Sequence, residues 1–188
     1  MTQTFSIRET GPGDVETIMD IERRAFGYEK EARLVVSLLE DASARPLLSL
    51  LALAGTVAVG HILFTRATFQ GRPDSPLMHI LAPLAVCPDY QRQGVGGLLI
   101  RTGIDRLRRM GSTLVFVLGH REYYPRYGFA PFAAKEGYLP PYPMPEEHGA
   151  YWMVQALQPD EAGTGKGTVR CADTLNEPQH WRDDETDR

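Results

Sequence analysis

An apolar stretch, Leu84-Ala85-Val86-Cys87, leads through Pro88-Asp89-Tyr90 into the turn Gln91-Arg92-Gln93-Gly94-Val95-Gly96-Gly97, which opens a segment with helical periodicity. That order of residue types suits an anion. Gly94 and Gly96 are free to take backbone angles closed to other residues, so successive N–H groups can converge on one point, where a helix N-terminus adds partial positive charge. A phosphate fits such a point. Spacing narrows the kind: a dinucleotide fingerprint needs a third glycine where the chain has Leu99, and a P-loop needs Gly-Lys-Ser/Thr, which is absent. A second group of reactive side chains follows at Gly119-His120-Arg121-Glu122-Tyr123-Tyr124-Pro125-Arg126-Tyr127-Gly128-Phe129.

Gln91-Arg92-Gln93-Gly94-Val95-Gly96 resembles the pyrophosphate loop, Gln/Arg-x-x-Gly-x-Gly/Ala, of the GNAT family of N-acetyltransferases. The apolar run Leu114–Leu118 together with that later segment resembles the family's fifth strand and following helix, which end in Tyr-x-x-x-Gly-Phe. Its Tyr-Tyr-x-Arg-Tyr-Gly-Phe form is similar to one branch of N-acetyltransferases in particular. As an order of elements the similarity covers residues 5 to 175, and at residue level these two segments carry it. It implies an α/β fold with a mixed, mostly antiparallel central sheet, helices on both faces, and a splayed strand pair that receives acetyl-CoA as co-substrate. The cofactor-binding set implied is Leu84, Ala85 and Val86 on the strand before the turn, with Gln91, Arg92, Gln93, Gly94, Val95, Gly96 and Gly97 in the turn. On that strand the pantetheine arm would pair like an added strand, and the same N–H groups could polarise the thioester carbonyl. Pro83 marks the expected bulge where the splay starts.

The chemistry of a thioester then assigns a role to a tyrosine. The leaving group is a thiolate with an ordinary pKa near ~8.5, for which a phenol near ~10 is a suitable proton donor. Tyr124 stands four residues before Gly128, where the family has its general acid, and Tyr123 and Tyr127 fall on other faces. The base is harder to find, because an attacking amine with pKa near ~10.4 is mostly ammonium at neutral pH. Many family members carry a glutamate on the strand before the turn, where this chain has Ala82, and Val117 stands at the family's asparagine. His79, Glu22, Glu29, His120 and Glu122 remain as groups that could reach a cleft.

The elements that must position these residues are legible as alternation and periodicity. Strands are expected over Phe5 to Glu9, Leu48 to Leu53, Val57 to Thr65, Leu77 to Val86, Leu114 to Leu118, Phe129 to Phe132, Tyr151 to Leu157 and Gly167 to Cys171. Asp14 is placed to cap a helix whose Val15, Ile18, Ile21 and Ala25 share a face, and a second helix is expected over Glu29 to Ala42. A third, Gly94 to Met110, stops at Gly111, and a short helix holds the tyrosines. Leu139-Pro140-Pro141-Tyr142-Pro143-Met144-Pro145 reads as an extended surface loop.

Composition sets the frame. The chain has 188 residues, 43% hydrophobic and 23% charged, with a formal charge of −4, so one domain with a substantial core is expected and neither nucleic acid nor an anionic membrane is the partner. Arg101, Arg106, Arg108 and Arg109 cluster in the last turns of the third helix, where solvent and the helix dipole account for them. Cys87 and Cys171 have no metal-ligand or disulfide spacing, and no basic-then-apolar leader precedes Phe5; a reducing cytoplasm and no metal are expected. The domain is read as residues 1–176, followed by a loose polar tail, 177–188, in which only Trp181 has much to bury. The reading is an N-acetyltransferase moving acetyl from acetyl-CoA to a small-molecule or peptide amine by direct attack. A non-catalytic acyl-CoA-binding sensor is the alternative. A homodimer through edge strands 76–81 or 151–157 is a third reading.

Overall fold

The computed structural model describes residues 3–159 and 165–182. Its sheet follows the order β1 (Phe5–Glu9), β2 (Leu48–Ala54), β3 (Val57–Phe69), β4 (Met78–Val86), β5 (Leu114–Leu118), β8 (Trp152–Ala156), β6 (Ala130–Pro131), while β7 (Tyr138–Leu139) and β9 (Gly167–Arg170) pair off this path. Along the path every pair is antiparallel except β4 with β5.

Alternation along β2 and β3 builds two layers of core. Leu51 and Leu63 face Ile18 and Ile21 of α1 (Val15–Phe26) and Val35 and Leu38 of α2 (Lys30–Glu40). Leu50, Ile62 and Phe64 face Leu99, Ile104 and Leu107 of α3 (Val95–Arg109). A side-chain period of two on a strand sends neighbours to opposite faces, so one apolar run serves both layers. Gly103 of α3 lies so close to Phe64 that a Cβ there would stand 2.4 Å from the ring. The mixed sheet, the helices on both faces and the parting strand pair all match the expected fold.

Local differences have physical reasons. β3 runs four residues past the expected end because Ala67 and Phe69 continue the buried alternation, and β9 pairs with Thr68 and Phe69. Asp14 does not cap α1; its carboxylate takes the Gly11 N–H at 2.7 Å and a fork from Arg8 at 2.8 Å. The tyrosine helix is one 3-10 turn, Tyr124–Tyr127, with Pro125 early in it and Gly128 left-handed at φ 94°. The strands offered as free edges are interior: β4 lies between β3 and β5, and β8 between β5 and β6. The C-terminal segment is docked as far as the structure describes it. Pro178–His180 forms a 3-10 turn, the Trp181 indole N–H donates to Leu175 O at 2.8 Å, and its ring meets Trp152 edge-on at 5.8 Å. The rest of the expected tail, 183–188, lies outside the described residues.

Candidate active site

β4 and β5 are paired only from Met78 with Leu114 to Leu81 with Val117, and beyond that they part. On the other side of β4 the register slips: Leu84 opposes Ile62 and Leu81 opposes Phe64, leaving Ala82 and Pro83 opposite Leu63. Pro83 thus falls in the bulge, where its missing N–H costs no ladder bond. Just past β4, the Cys87 N–H donates to Val59 O at 2.9 Å. Antiparallel strands alternate inward and outward pairs, so Ala85 is also turned toward β3 while Leu84 and Val86 present their N–H and C=O to the gap. Of the three strand residues, two therefore offer unladdered backbone. The Gln91 side chain folds back and donates to Val86 O at 3.0 Å, so its amide caps the strand end.

The turn beyond the gap leaves N–H groups free at the start of α3. Gly94 is left-handed at φ 86° and caps α3, and Arg92 also has a positive φ of 59°. The first bond of the helix is Leu98 N–H to Gly94 O at 3.0 Å, so the N–H groups of Val95, Gly96 and Gly97 precede the ladder. Gln93 braces the turn by donating to Asp89 O at 2.8 Å. The glycines are not equivalent. A Cβ on Gly94 would meet nothing within 4 Å, whereas on Gly96 it would stand 2.4 Å from the Tyr123 hydroxyl and on Gly97 2.5 Å from that of Tyr127. Gly96 and Gly97 let the tyrosine segment close over the first turn of α3.

Tyr124 points elsewhere. Its ring packs with Leu81, Val117 and Phe129 and lines the gap between β4 and β5. A Cβ on Gly119 would lie 2.3 Å from that ring, so the glycine that ends β5 makes room for it, a feature the sequence reading missed. Burial alone pushes the phenol up to about 12. Tyr123 is raised as well, by burial and then by its hydrogen bond with Tyr127.

The gap widens on the α1 and α2 side into a cleft of two compartments. One, of 440 Å³, is lined by Leu81–Leu84 with Leu118, Tyr124, Phe26, Lys30 and Glu31. The other, of 660 Å³, is lined by Pro143, Met144, Pro145, His148 and Tyr151. Leu118, Gly119, His120, His180, Trp181 and Arg182 border both. Among the expected base candidates, only His120 lines the cleft.

The other candidates are engaged elsewhere. His79 is fully buried, with Nε2 donating to Pro46 O at 2.8 Å and Nδ1 2.9 Å from Ser112 Oγ; burial lowers its pKa to about 4. Glu29 pairs with Arg23 at 2.6 Å on the surface, and Glu122 is exposed. Glu22 is buried with Oε1 2.7 Å from His61 Nδ1, and His61 Nε2 is 2.9 Å from Ser49 Oγ. This Ser-His-Glu line has the bond order of a hydrolytic triad. Its members are at most 5% exposed and border neither compartment, so no substrate carbonyl reaches Ser49. Burial raises the Glu22 pKa against the hydrogen bond from His61. No group of three or more His, Cys, Asp or Glu among the described residues could hold a metal ion. No helix among them is long and apolar enough to cross a membrane.

Comparison with known proteins bears on the same residues. The model of the acetyltransferase (GNAT) family matches residues 15–129, from the start of α1 through the tyrosine turn. The chain is 62% identical to the uncharacterized N-acetyltransferase YjhQ of Escherichia coli K12 over 169 residues, 90% of this chain and 93% of that one. A GNAT family N-acetyltransferase, YhbS, from Escherichia coli, solved in complex with CoA, superposes with a TM-score of 0.81 at 29% identity, covering 94% of each chain. A GNAT family acetyltransferase from Brucella melitensis, solved with acetyl-CoA, gives 0.72 at 28% identity over 92% of this chain and 99% of that one. With the parted strands, the glycine turn and the buried tyrosine all inside the matched region, the chain belongs to the GNAT family of N-acetyltransferases.

Proposed function

We propose that this protein transfers an acetyl group from acetyl-CoA directly to a primary amine, both being bound together, with no covalent enzyme intermediate. The observation that carries the reading is the parting of β4 from β5 after Leu81 and Val117. Leu84 and Tyr124 line the cleft that opens there, Val86 continues the same unladdered edge, and the turn with the N–H groups of Val95, Gly96 and Gly97 follows β4 in the chain. Those groups fit the parts of acetyl-CoA. The turn from Arg92 to Gly97 would hold the pyrophosphate, and Leu84 and Val86 would pair with the amide-bearing arm. When bound, acetyl-CoA supplies an acyl group on a thiol leaving group. Tyr124 then gives its proton to the departing sulfur.

Among the described residues, neither compartment is bordered by a serine, threonine or cysteine that could carry the acetyl group. Cys87 and Cys171 are buried in the core, and burial raises both thiol pKa values, holding them protonated. The Tyr123–Phe129 segment supports placing the chain in the branch with the Tyr-Tyr-x-Arg-Tyr-Gly-Phe form, and two unpaired cysteines fit a reducing cytoplasm. The test is thiol release from acetyl-CoA across a panel of amines, with mass spectrometry of the product. We expect acetylated amine and free CoA in equal amounts, and no release beyond background hydrolysis without amine. CoA binding with no turnover across the panel would contradict the reading.

A further inference from the structure

The amine must lose a proton before it attacks, and Ala82, on the strand before the turn, offers no base. The C-terminal segment brings a basic group to the cleft instead. That segment is tied down at several points. The Thr174 N–H donates to Asp41 Oδ2 at 2.9 Å, the Cys171 N–H to Asn176 Oδ1 at 2.9 Å, and the Tyr142 hydroxyl to Asn176 O at 2.7 Å. With Trp181 seated on Trp152 and bonded to Leu175 O, the turn Pro178–His180 is held at the mouth of both compartments.

We propose that His180 accepts the proton that the amine substrate gives up. This rests on the N-acetyltransferase reading and adds the missing base to it. The compartment that contains Tyr124 is also bordered by Lys30 and Glu31 of α2, by His120 and by Arg182. His148 lines the other compartment with His180, and Glu177 lies three residues before His180 in the chain. A lysine ammonium and an arginine guanidinium offer donors and no acceptor, and a carboxylate near ~4.3 is a much weaker base than an imidazole near ~6.5. Of the two histidines that line the compartment with Tyr124, His120 is exposed to bulk water and His180 is half-buried. Burial lowers the His180 pKa, Lys30 lowers it further, and Glu177 opposes them, so the ring is neutral and able to accept at pH 7.

The protons balance. One ammonium proton passes to His180 and on to solvent. The neutral nitrogen forms the C–N bond as the C–S bond breaks, the sulfur takes the Tyr124 proton, and the second proton on nitrogen restores the phenol. The net release is one proton per turnover.

The experiment uses the full chain with an amine that wild type acetylates, and compares His180→Gln and His120→Gln from pH 5 to 10.5. Wild type should show an acid limb in kcat with a midpoint below about 6.5. His180→Gln should lose that limb and fall roughly 10²- to 10⁴-fold at pH 7, with CoA affinity kept. Its deficit should close as pH passes the amine's own pKa, where no base is needed; a purely structural lesion would leave the deficit constant. His120→Gln should keep the acid limb. His180→Gln with wild-type kcat and limb, a deficit independent of pH, or loss of the limb in His120→Gln would overturn the proposal. Absence of turnover by wild type itself would instead strike the acetyltransferase reading.

Discussion

Tyr124 and Gly94 separate chemistry from packing at single atoms. The Tyr124 phenol is buried and stands at about 12, above the value near ~10 expected of a phenol in water. It therefore stays protonated across the working range but is a weaker acid than an exposed phenol. Tyr124→Phe keeps the ring beside Gly119 and Phe129, so melting temperature and CoA affinity should hold while kcat drops roughly 10²- to 10⁴-fold. The loss should shrink with acyl donors whose thiols are more acidic. Because the phenol titrates only near 12, the kcat profile of wild type should show no falling alkaline limb from it below about pH 10.5. Equal rates in wild type and variant would assign Tyr124 to packing. At the turn, Gly94→Ala and Gly94→Asp both put a side chain at a left-handed position, a strain of roughly 1–2 kcal/mol that is smaller for aspartate, and differ by one negative charge. Calorimetric titration should find CoA binding at least tenfold weaker in the aspartate variant than in the alanine one, a difference of about 1.4 kcal/mol. The sequence ranks Gly94 and Gly96 alike as cradle residues. Only the packed structure shows that Gly96 also accommodates Tyr123, so a side chain there would disturb the fold as well as the ligand.

Elements fixed by local alternation were legible in the sequence, and elements fixed by distant partners were not. β1 and β5 have the expected ends because their apolar residues stop at turns or glycines nearby. β3 outruns its expected end because β9, about 100 residues later, supplies the partner for Thr68 and Phe69. The tyrosine segment was readable as a motif, yet its collapse to one 3-10 turn follows from Pro125 and Gly128 acting together. Asp41 shows how a loop end joins distant elements. Burial alone would raise its pKa, but the Ser43 hydroxyl and N–H and the Thr174 N–H together bring it down to about 2. A carboxyl lower in the folded than in the unfolded chain stabilises above the unfolded value near ~3.9, and that stability is lost as pH falls toward about 2. Asp41→Ala should cost about 1–2 kcal/mol in urea unfolding at pH 7 and distinctly less near pH 2.5. A cost independent of pH would show that the lowered value is not what ties α2 to the C-terminal segment.

At the scale of the molecule, one sheet serves both as scaffold and as the site, because the strands that hold the core together at Met78–Leu81 are the ones that part beyond it. Most of this was visible from the glycine turn and the tyrosine segment alone. The C-terminal border of the cleft was not, because composition marks 177–188 as polar while a single indole, Trp181, decides that its first part docks. Truncation after Asn176 should therefore lower the melting temperature by several degrees, on the order of 1–3 kcal/mol, and suppress turnover while leaving CoA binding within about threefold. An unchanged melting temperature and rate would return those residues to the status of a loose tail. The central claim, direct transfer with both substrates bound in one cleft, is tested most directly by initial rates with acetyl-CoA and an accepted amine varied together. Intersecting double-reciprocal lines, with no acetylated protein after incubation with acetyl-CoA alone, are the expected result; parallel lines with a stoichiometric acetyl-enzyme would contradict it.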